Sequence, residues 1–358
     1  MTAPAPDFLR QREAALQAWF SQQIPALGRG AQRQGLASVS GDASFRRYFR
    51  AELDAGPCIL VDAPPPQEDC RPFVEVAKWL RGGGVNVPAL YACNLAAGFM
   101  CLSDFGDELL WRRLAAARDD AEVRPSATAL YHAAFAELLK IQATEARALP
   151  SYDTALLRRE LLLFNEWFCQ GLLQLNLSAQ ELLMIEQVFE QLIARALAQP
   201  QVFVHRDYHS RNLMYLGPDL GVIDFQDAVR GPFTYDLVSL LRDCYIEWPP
   251  EQVQRWLFDY AAMARAAGLP APPDSGLQQD FDWMGMQRHL KVLGIFARLW
   301  LRDGKRGYLG DLPLTLRYLS SAARGYGEFA AFSQWLSERV EPALPPLLCS
   351  LGVSEAKS

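Results

Sequence analysis

The chain has 358 residues, half of them hydrophobic, which is long for one domain and sufficient for two packed units. Its formal net charge of -6 provides no basic surface for nucleic acid or an anionic membrane, so we expect neither as a partner. No apolar run approaches the roughly 20 residues that cross a bilayer, and the first residues lack the pattern of a signal peptide, so we expect a cytoplasmic protein.

The first hundred residues combine helical and strand patterns. Residues 7–27 carry apolar side chains three and four positions apart, which predicts a helix. Apolar runs then predict strands at residues 37–39, 45–51, 58–61, 89–93 and 99–102, with a helix at 71–80 before the last two. We therefore predict a small antiparallel sheet with helices and place the first domain at residues 1–103.

From residue 104 onward the pattern becomes mostly helical. Apolar spacing of three and four predicts helices at residues 131–144, 155–173, 181–197 and across 251–340. These segments are assigned to a second, larger domain at residues 104–358. The predicted fold class is therefore α+β, with a sheet-containing first part and a helical second part.

Two short apolar runs in the second part lead into acidic and amide side chains. The run 202–204 precedes a polar loop that contains Asp207 and Asn212, and the run 221–223 leads directly into Asp224. We interpret both runs as strands that are neighbours in one sheet. The three polar side chains are then expected to meet in one small volume.

Phosphoryl transfer from a nucleotide needs this combination, since one Asp accepts the proton of the attacking hydroxyl while an Asn and a second Asp hold Mg²⁺. His205-Arg206-Asp207 followed by Asn212 has the spacing H-R-D-x-x-x-x-N, and Asp224 stands in the place of D-F-G. These residues resemble the protein-kinase-like superfamily, specifically its aminoglycoside and choline kinase branch. The resemblance implies a bilobal protein-kinase-like fold and ATP as donor, with Asp207 as catalytic base and Asn212 and Asp224 as Mg²⁺ ligands.

Further residues near the loop are candidates for support and catalysis. Arg211 either neutralises charge that develops during transfer or lies on the surface. Asp236 belongs to a Tyr-Asp-Leu sequence that braces the catalytic loop in the family that this chain resembles. The alternative for Asp236 is a first-turn acid favoured by the helix dipole. His205 is a second candidate for structural support of the loop. Only 11 residues separate Asp224 from Asp236, which leaves no room for an activation segment and predicts a small-molecule acceptor.

The turn at residues 40–44 is a candidate cover for the nucleotide phosphates. In a kinase-like fold the backbone near Gly41 and the Ser44 hydroxyl would contact them, although an ordinary hairpin is the alternative. The fifth predicted strand leads into an acidic turn, which resembles the inter-lobe hinge of these kinases. Backbone groups near Leu102 are then expected to bind the adenine edge.

The third predicted strand lacks the lysine that kinases use to hold the α- and β-phosphates. Either an arginine (Arg46, Arg47 or Arg50) supplies that charge, with Arg46 as our candidate, or the phosphate clamp is built differently. In the second case the arginines are solvated strand positions. Glu75, in the helix at 71–80, is the candidate partner acid.

Glu166 and Trp167 are candidate acceptor-site residues, because polar Asn165 and Glu166 interrupt an aromatic helical stretch. The alternative is a solvated helix face beside a core tryptophan.

Four segments carry a narrower resemblance: residues 41–49, 61–65, 69–73 and 224–228. Together they look like the bacterial anomeric amino-sugar kinases, over about residues 35–340, including the missing lysine. The resemblance implies ATP-dependent phosphorylation of N-acetylmuramate and N-acetylglucosamine at the anomeric hydroxyl in peptidoglycan recycling, with the sugar 1-phosphate passed to a uridylyltransferase. The alternatives are an aminoglycoside or other small-alcohol phosphotransferase, or a catalytically inactive nucleotide-binding module.

Overall fold

The computed structural model describes residues 6–39, 45–65, 67–120, 122–123 and 125–353. The chain divides into two compact units, Met1–Glu108 with Met214–Asp227, and Leu109–Leu213 with Ala228–Ser358. The first unit contains an antiparallel five-stranded sheet, and the second is mostly helical. The α+β prediction is therefore confirmed, while the domain boundary at residues 103 and 104 stays a prediction.

The strands are short. They are β1 (Ala37–Val39), β2 (Arg47–Leu53), β3 (Gly56–Asp62), β4 (Leu90–Asn94), β5 (Phe99–Ser103), β6 (Gln201–Val204), β7 (Leu213–Tyr215), β8 (Leu220–Val222) and β9 (Val229–Pro232).

The α-helices are α1 (Pro6–Leu27), α2 (Arg71–Gly82), α3 (Leu110–Asp119), α4 (Ala127–Ala143), α5 (Thr154–Leu163), α6 (Ala179–Ala198), α7 (Tyr235–Leu241), α8 (Pro250–Ala266), α9 (Asp274–Asp303), α10 (Leu312–Arg324), α11 (Ala330–Trp335) and α12 (Leu344–Ser350). Among the described residues, no helix is both long and apolar enough to cross a membrane. Short π-helical and 3-10 segments lie between some of these helices, at Phe164–Leu172, Arg306–Asp311, Gly327–Phe329, Leu336–Val340 and Glu341–Ala343.

The five-stranded sheet has the order β1-β2-β3-β5-β4. Alternate residues of β2 are buried, so one face of that strand packs on apolar side chains from α1 and the neighbouring strands. The cluster consists of Leu16, Phe20, Phe49, Ala51, Leu53, Cys58, Leu60, Phe99 and Cys101. Burial of this shared face fixes the strand register, because a slip by one residue would turn the apolar set toward water.

The expectation that the two strands preceding Asp207 and Asp224 are neighbours is wrong. Strand β6 pairs with β9, with Val204 opposite Val229, whereas β8 pairs with β7. The turn around Gly217, which has a positive φ of 91°, folds β7 and β8 into a local hairpin. The ladder of β8 is therefore formed with β7 instead of with β6.

In the second unit, α9 is buried along most of its length. It packs on the segment where α5 ends and the π-helical segment begins. A Cβ on Gly294 would lie 2.4 Å from the carbonyl carbon of Leu163, so this contact requires a glycine. The predicted single helix at 155–173 is interrupted here, because the π-helical segment Phe164–Leu172 follows α5.

Candidate active site

The backbone that leads into the candidate catalytic loop is held by a buried carboxylate. Asp236, in the first turn of α7, accepts hydrogen bonds from the backbone N–H of His205 (2.7 Å) and of Arg206 (2.9 Å). Arg206 has a left-handed φ of 77°, which is unfavourable for a residue with a side chain. The two hydrogen bonds stabilise this conformation immediately before Asp207.

The loop is also closed by its own backbone. The N–H of His209 donates to the carbonyl of Asp207 at 3.0 Å, and the N–H of Asn212 donates to the carbonyl of His209 at 2.9 Å. The Asn212 side-chain amide donates from Nδ2 to the Asp207 carbonyl at 3.0 Å. This bond orients the amide so that its Oδ1 atom points away from that carbonyl.

A buried charge network lies beneath the loop, and no sequence pattern had singled it out. The Arg206 guanidinium pairs with Glu160, and the Nζ atom of Lys291 lies 3.2 Å from the same carboxylate. Lys291 also donates to the Tyr235 hydroxyl at 2.9 Å, and the Tyr152 hydroxyl donates to Glu160. Lys291 follows the polar residues Gln287, Arg288 and His289, so the only available signal was that this chain has few lysines.

This network affects the ionisation of Asp207. Burial favours the neutral acid, but Lys291, His209 and Arg206 outweigh it and lower the pKa of Asp207. The carboxylate is therefore ionised at neutral pH, as a proton acceptor must be.

Arg211 is held on aromatic rings near the end of the loop. Its guanidinium lies 3.5 Å from the centroid of the Tyr245 ring and 5.2 Å from that of Trp111. The preceding residue, Ser210, donates its N–H to Asp243 at 2.9 Å. Arg211 is half-buried, so it is not a fully solvated surface residue.

In the first unit, Arg46 forms an ion pair with Glu68, with Nε 3.1 Å from Oε2, and the two side chains are only 9% and 15% exposed. Asp224 belongs to the same unit and is among the groups that raise the pKa of Arg46, against the opposing effect of burial. The structure thus places Arg46 within electrostatic range of the carboxylate that follows β8.

The other two candidate arginines have carboxylate partners at the sheet. Arg47 pairs with Asp62 at 2.6 Å, and Arg50 lies 2.9 Å from Asp107 and also binds Asp104. The first pair joins the neighbouring strands β2 and β3, and the second ties β2 to the segment that follows β5. Each of the three arginines has an acidic partner outside the sheet strands, and that of Arg46 is Glu68, in the segment between β3 and α2.

The other candidate nucleotide residues are Gly41, Ser44, Glu75 and Leu102. Gly41 and Ser44 lie outside the described residues. Glu75 is exposed on α2, within electrostatic range of Arg71. Leu102 is 5% exposed in β5, which has β3 and β4 as its neighbours.

The candidate acceptor residues Glu166 and Trp167 occupy the π-helical segment. Glu166 is exposed and Trp167 is half-buried. π-helical turns often occur at functional sites, which agrees with a role in binding without assigning one.

Asp224 has a left-handed φ of 65°, and its Oδ1 accepts a hydrogen bond from Gln226 Nε2 at 2.7 Å. The neighbouring Phe225 ring is buried, with its centroid 4.8 Å from that of Phe73 on α2. These contacts fix the orientation of the carboxylate.

Carboxylate and amide oxygens of the kind carried by Asp224 and Asn212 suit a hard divalent cation that takes its other ligands from phosphates and water. Within the described part of the chain, no group of three or more His, Cys, Asp and Glu side chains is arranged to hold a metal alone. Each of these oxygens suits a cation that arrives with its nucleotide better than a metal held by protein side chains alone.

The model of the phosphotransferase enzyme family, APH, matches residues 35–269. The chain belongs to the phosphotransferase enzyme family. This phosphotransferase is 45% identical over 307 residues to the N-acetylmuramate/N-acetylglucosamine kinase of Pseudomonas aeruginosa, covering 84% of the chain and 88% of that protein. The protein of the same name from Neisseria meningitidis is 40% identical over 333 residues, covering 92% of the chain and 96% of that relative.

Among solved structures, the phosphotransferase is similar to a choline kinase from Streptococcus pneumoniae, with a TM-score of 0.59 and 13% identity over 86% of this chain and 99% of that one. The kinase-like fold and the phosphotransferase activity predicted from the sequence are confirmed. Membership implies ATP as the phosphoryl donor and a divalent metal ion.

Proposed function

We propose that the chain is an ATP-dependent kinase that phosphorylates N-acetylglucosamine and N-acetylmuramate at the anomeric hydroxyl. The observation that carries this proposal is the identity of 40–45% to two kinases named for these sugars, spread over 84% and 92% of the chain. Similarity over nearly the whole length includes the helical unit, where the loop His205–Asn212 lies. The fold likeness to a choline kinase, at 13% identity, supports no choice of acceptor.

In this proposal Asp207 accepts the proton of the attacking sugar hydroxyl. The lowered pKa of Asp207 keeps the carboxylate ionised, and the hydrogen bonds to Asp236 hold the backbone before it. Proton acceptance of this kind contributes a factor of about 10²–10⁴ to the rate. Arg211, fixed on the Tyr245 ring, supplies positive charge near the loop as negative charge develops.

Asn212 and Asp224 are the proposed ligands of Mg²⁺. When bound, this ion would neutralise charge on the β- and γ-phosphates of ATP. The Asn212 amide is oriented by its bond to the Asp207 carbonyl, and the Asp224 carboxylate by its bond from Gln226.

Arg46 is the proposed substitute for the missing lysine at the nucleotide phosphates. Its pairing with Glu68 parallels the lysine–glutamate pair of protein kinases, and a guanidinium can bind phosphate oxygens through two N–H groups. Glu75, Gly41, Ser44 and the backbone near Leu102 remain proposed nucleotide contacts.

Glu166 and Trp167 remain proposed sugar contacts. The product, a sugar 1-phosphate, is the class of compound that a uridylyltransferase consumes, and we propose such an enzyme as the next step. A cytoplasmic location, where ATP is available, is part of the same proposal.

The test is an ATP-coupled assay with N-acetylglucosamine, N-acetylmuramate and kanamycin, run beside Asp207→Asn. We expect turnover on both acetylated sugars, none on kanamycin, and a loss of about 10²-fold or more in kcat for Asp207→Asn with unchanged thermal stability. Transfer to kanamycin alone would indicate an aminoglycoside kinase. Nucleotide binding without turnover on any acceptor would indicate an inactive binding module.

A further inference from the structure

One buried carboxylate in the second unit has no hydrogen-bond or ion-pair partner among the residues that the structure describes. Asp311 ends the 3-10 segment Arg306–Asp311 and is 5% exposed. Within the described residues its side chain forms neither a hydrogen bond nor an ion pair, although its backbone carbonyl accepts a bond from the Thr315 hydroxyl at 2.9 Å. A charged group in this position is costly unless something binds it.

The other buried carboxylates of the described chain all have partners. Each one accepts a hydrogen bond or forms an ion pair with a basic, hydroxyl or backbone N–H group: Asp62, Glu137, Glu160, Asp236, Asp243, Asp280 and Asp282. Asp311 is therefore an exception to a rule that the rest of this protein follows.

Helix capping does not explain the residue either. Asp311 stands at the N-cap position of α10, where an aspartate usually accepts an N–H from the first turn. Its side chain accepts none, and its backbone is already helical, with φ -91° and ψ -8°. The carboxylate therefore does not cap α10.

Its surroundings lie next to the catalytic loop. Burial raises the pKa of Asp311 to about 6, while Arg211 opposes this rise and Asp243 adds to it, so both groups are within electrostatic range. Asp243 is occupied by the N–H and hydroxyl of Ser210, at 2.9 and 2.5 Å. Arg211 is held on the Tyr245 ring. Of the two carboxylates, Asp243 is therefore hydrogen-bonded, whereas that of Asp311 accepts no hydrogen bond from a described neighbour.

We propose that Asp311 recognises the acceptor sugar, with its carboxylate accepting hydrogen bonds from sugar hydroxyl groups. This inference rests on the proposed function and assigns a specificity residue to it. An ionised carboxylate only accepts hydrogen bonds, and sugar hydroxyls can donate them. A hydrogen bond from a hydroxyl is stronger when its acceptor is charged. Arg211 beside it reduces the attraction for a polycationic acceptor, which favours a neutral or acidic sugar.

The test compares Asp311→Asn with wild type in steady-state kinetics, varying sugar and ATP separately. We expect the KM for N-acetylglucosamine to rise about tenfold or more, with the KM for ATP unchanged, because one charge-assisted hydrogen bond is lost. The melting temperature should stay equal or rise, since an unpaired buried charge is removed. Asp311→Ser serves as a second variant if the first folds poorly.

Asp280→Asn is the matched control, because Asp280 is also buried in the second unit but pairs with Arg195 at 2.5 Å. We expect it to lower the melting temperature and leave both KM values unchanged. If Asp311→Asn behaves like this control, Asp311 is structural and the inference is overturned.

Substrate analogues give independent support. A series of monodeoxy analogues of N-acetylglucosamine should contain at least one poor substrate whose penalty disappears in Asp311→Asn. Equal use of all analogues by wild type contradicts the inference while leaving the kinase function standing. No turnover of either parent sugar by wild type instead overturns the proposed function.

Discussion

The buried carboxylate of Asp236 supports the catalytic loop His205–Asn212, and the segment Arg306–Asp311 ends in the buried carboxylate of Asp311, but the two carboxylates differ in their hydrogen bonds. The Asp236 carboxylate accepts two backbone N–H groups at 2.7 and 2.9 Å, whereas the Asp311 carboxylate accepts no hydrogen bond from the described residues. A carboxylate filled by backbone donors fixes a conformation, in this case the left-handed Arg206. A buried carboxylate that accepts no hydrogen bond lowers stability, and a ligand that donates hydrogen bonds to it would explain its presence.

Ionisation alone does not separate these two groups. Burial raises the pKa of Asp236 to about 7, although the N–H groups of His205 and Arg206 act in the opposite direction. Burial also raises the pKa of Asp311, to about 6. Desolvation dominates at both positions, so the hydrogen bonds, and not the direction of the pKa shift, distinguish a supporting acid from a binding one.

The largest effect is expected from Asp236→Asn. The substituted amide can accept one backbone N–H, but its own NH₂ group then faces the other, which loses its acceptor. A buried N–H without a partner costs about 1–3 kcal/mol, and we expect a loss of unfolding free energy of this size together with a fall in kcat. Urea denaturation and initial rates measure both quantities.

Asp282→Asn provides the control for this substitution, since Asp282 is buried and paired with Arg242 in the same unit. It should lower stability without a specific fall in kcat. Wild-type stability and kcat in Asp236→Asn would show that the loop does not depend on this carboxylate, and the contrast with Asp311 would be lost.

The catalytic loop was predictable because its residues lie close together in sequence. Asp207 and Asn212 are five positions apart, and their spacing indicates a function without knowledge of the fold. The pairing of the flanking strands was not predictable from apolar runs, since the runs do not specify their partners. The hairpin around Gly217 decided that β8 pairs with β7.

Glu68 and Asp311 were missed for a different reason. Glu68 meets Arg46 only after the chain folds across 22 positions, and a single acid before a helix has no periodic signal. Asp311 precedes Leu312 and Pro313 at a helix start, where sequence favours an ordinary cap. Only the absence of the cap hydrogen bond in the structure reveals it.

The contrast between partnered and unpartnered acids extends to the first unit, where Glu68 pairs with Arg46 and Glu75 is exposed on α2. We expect Glu68→Gln to raise the KM for ATP by about tenfold, because the guanidinium loses the charge that positions it. Glu75→Gln, the matched control with the same chemical change, should leave this KM unchanged. The reverse result would identify Glu75 as the working partner, as the kinase pattern predicts.

The smallest effect, on stability, sharpens the contrast at Asp311. Its pKa is raised from 3.8 to about 6 on folding, so the folded protein binds the proton more tightly and ionisation lowers stability as pH rises between these values. Asp311→Asn does not ionise, so it should be more stable relative to wild type at pH 8 than at pH 4. Burial is the main cause of the raised pKa, while Arg211 opposes it and Asp243 adds to it. Urea denaturation at both pH values measures this difference in the free energy of unfolding.

The same measurement with N-acetylglucosamine tests the role of Asp311 in binding. Added sugar should stabilise wild type more than the variant, because only the ionised carboxylate accepts charge-assisted hydrogen bonds from the sugar. An equal response of both proteins to sugar would place Asp311 outside the acceptor site.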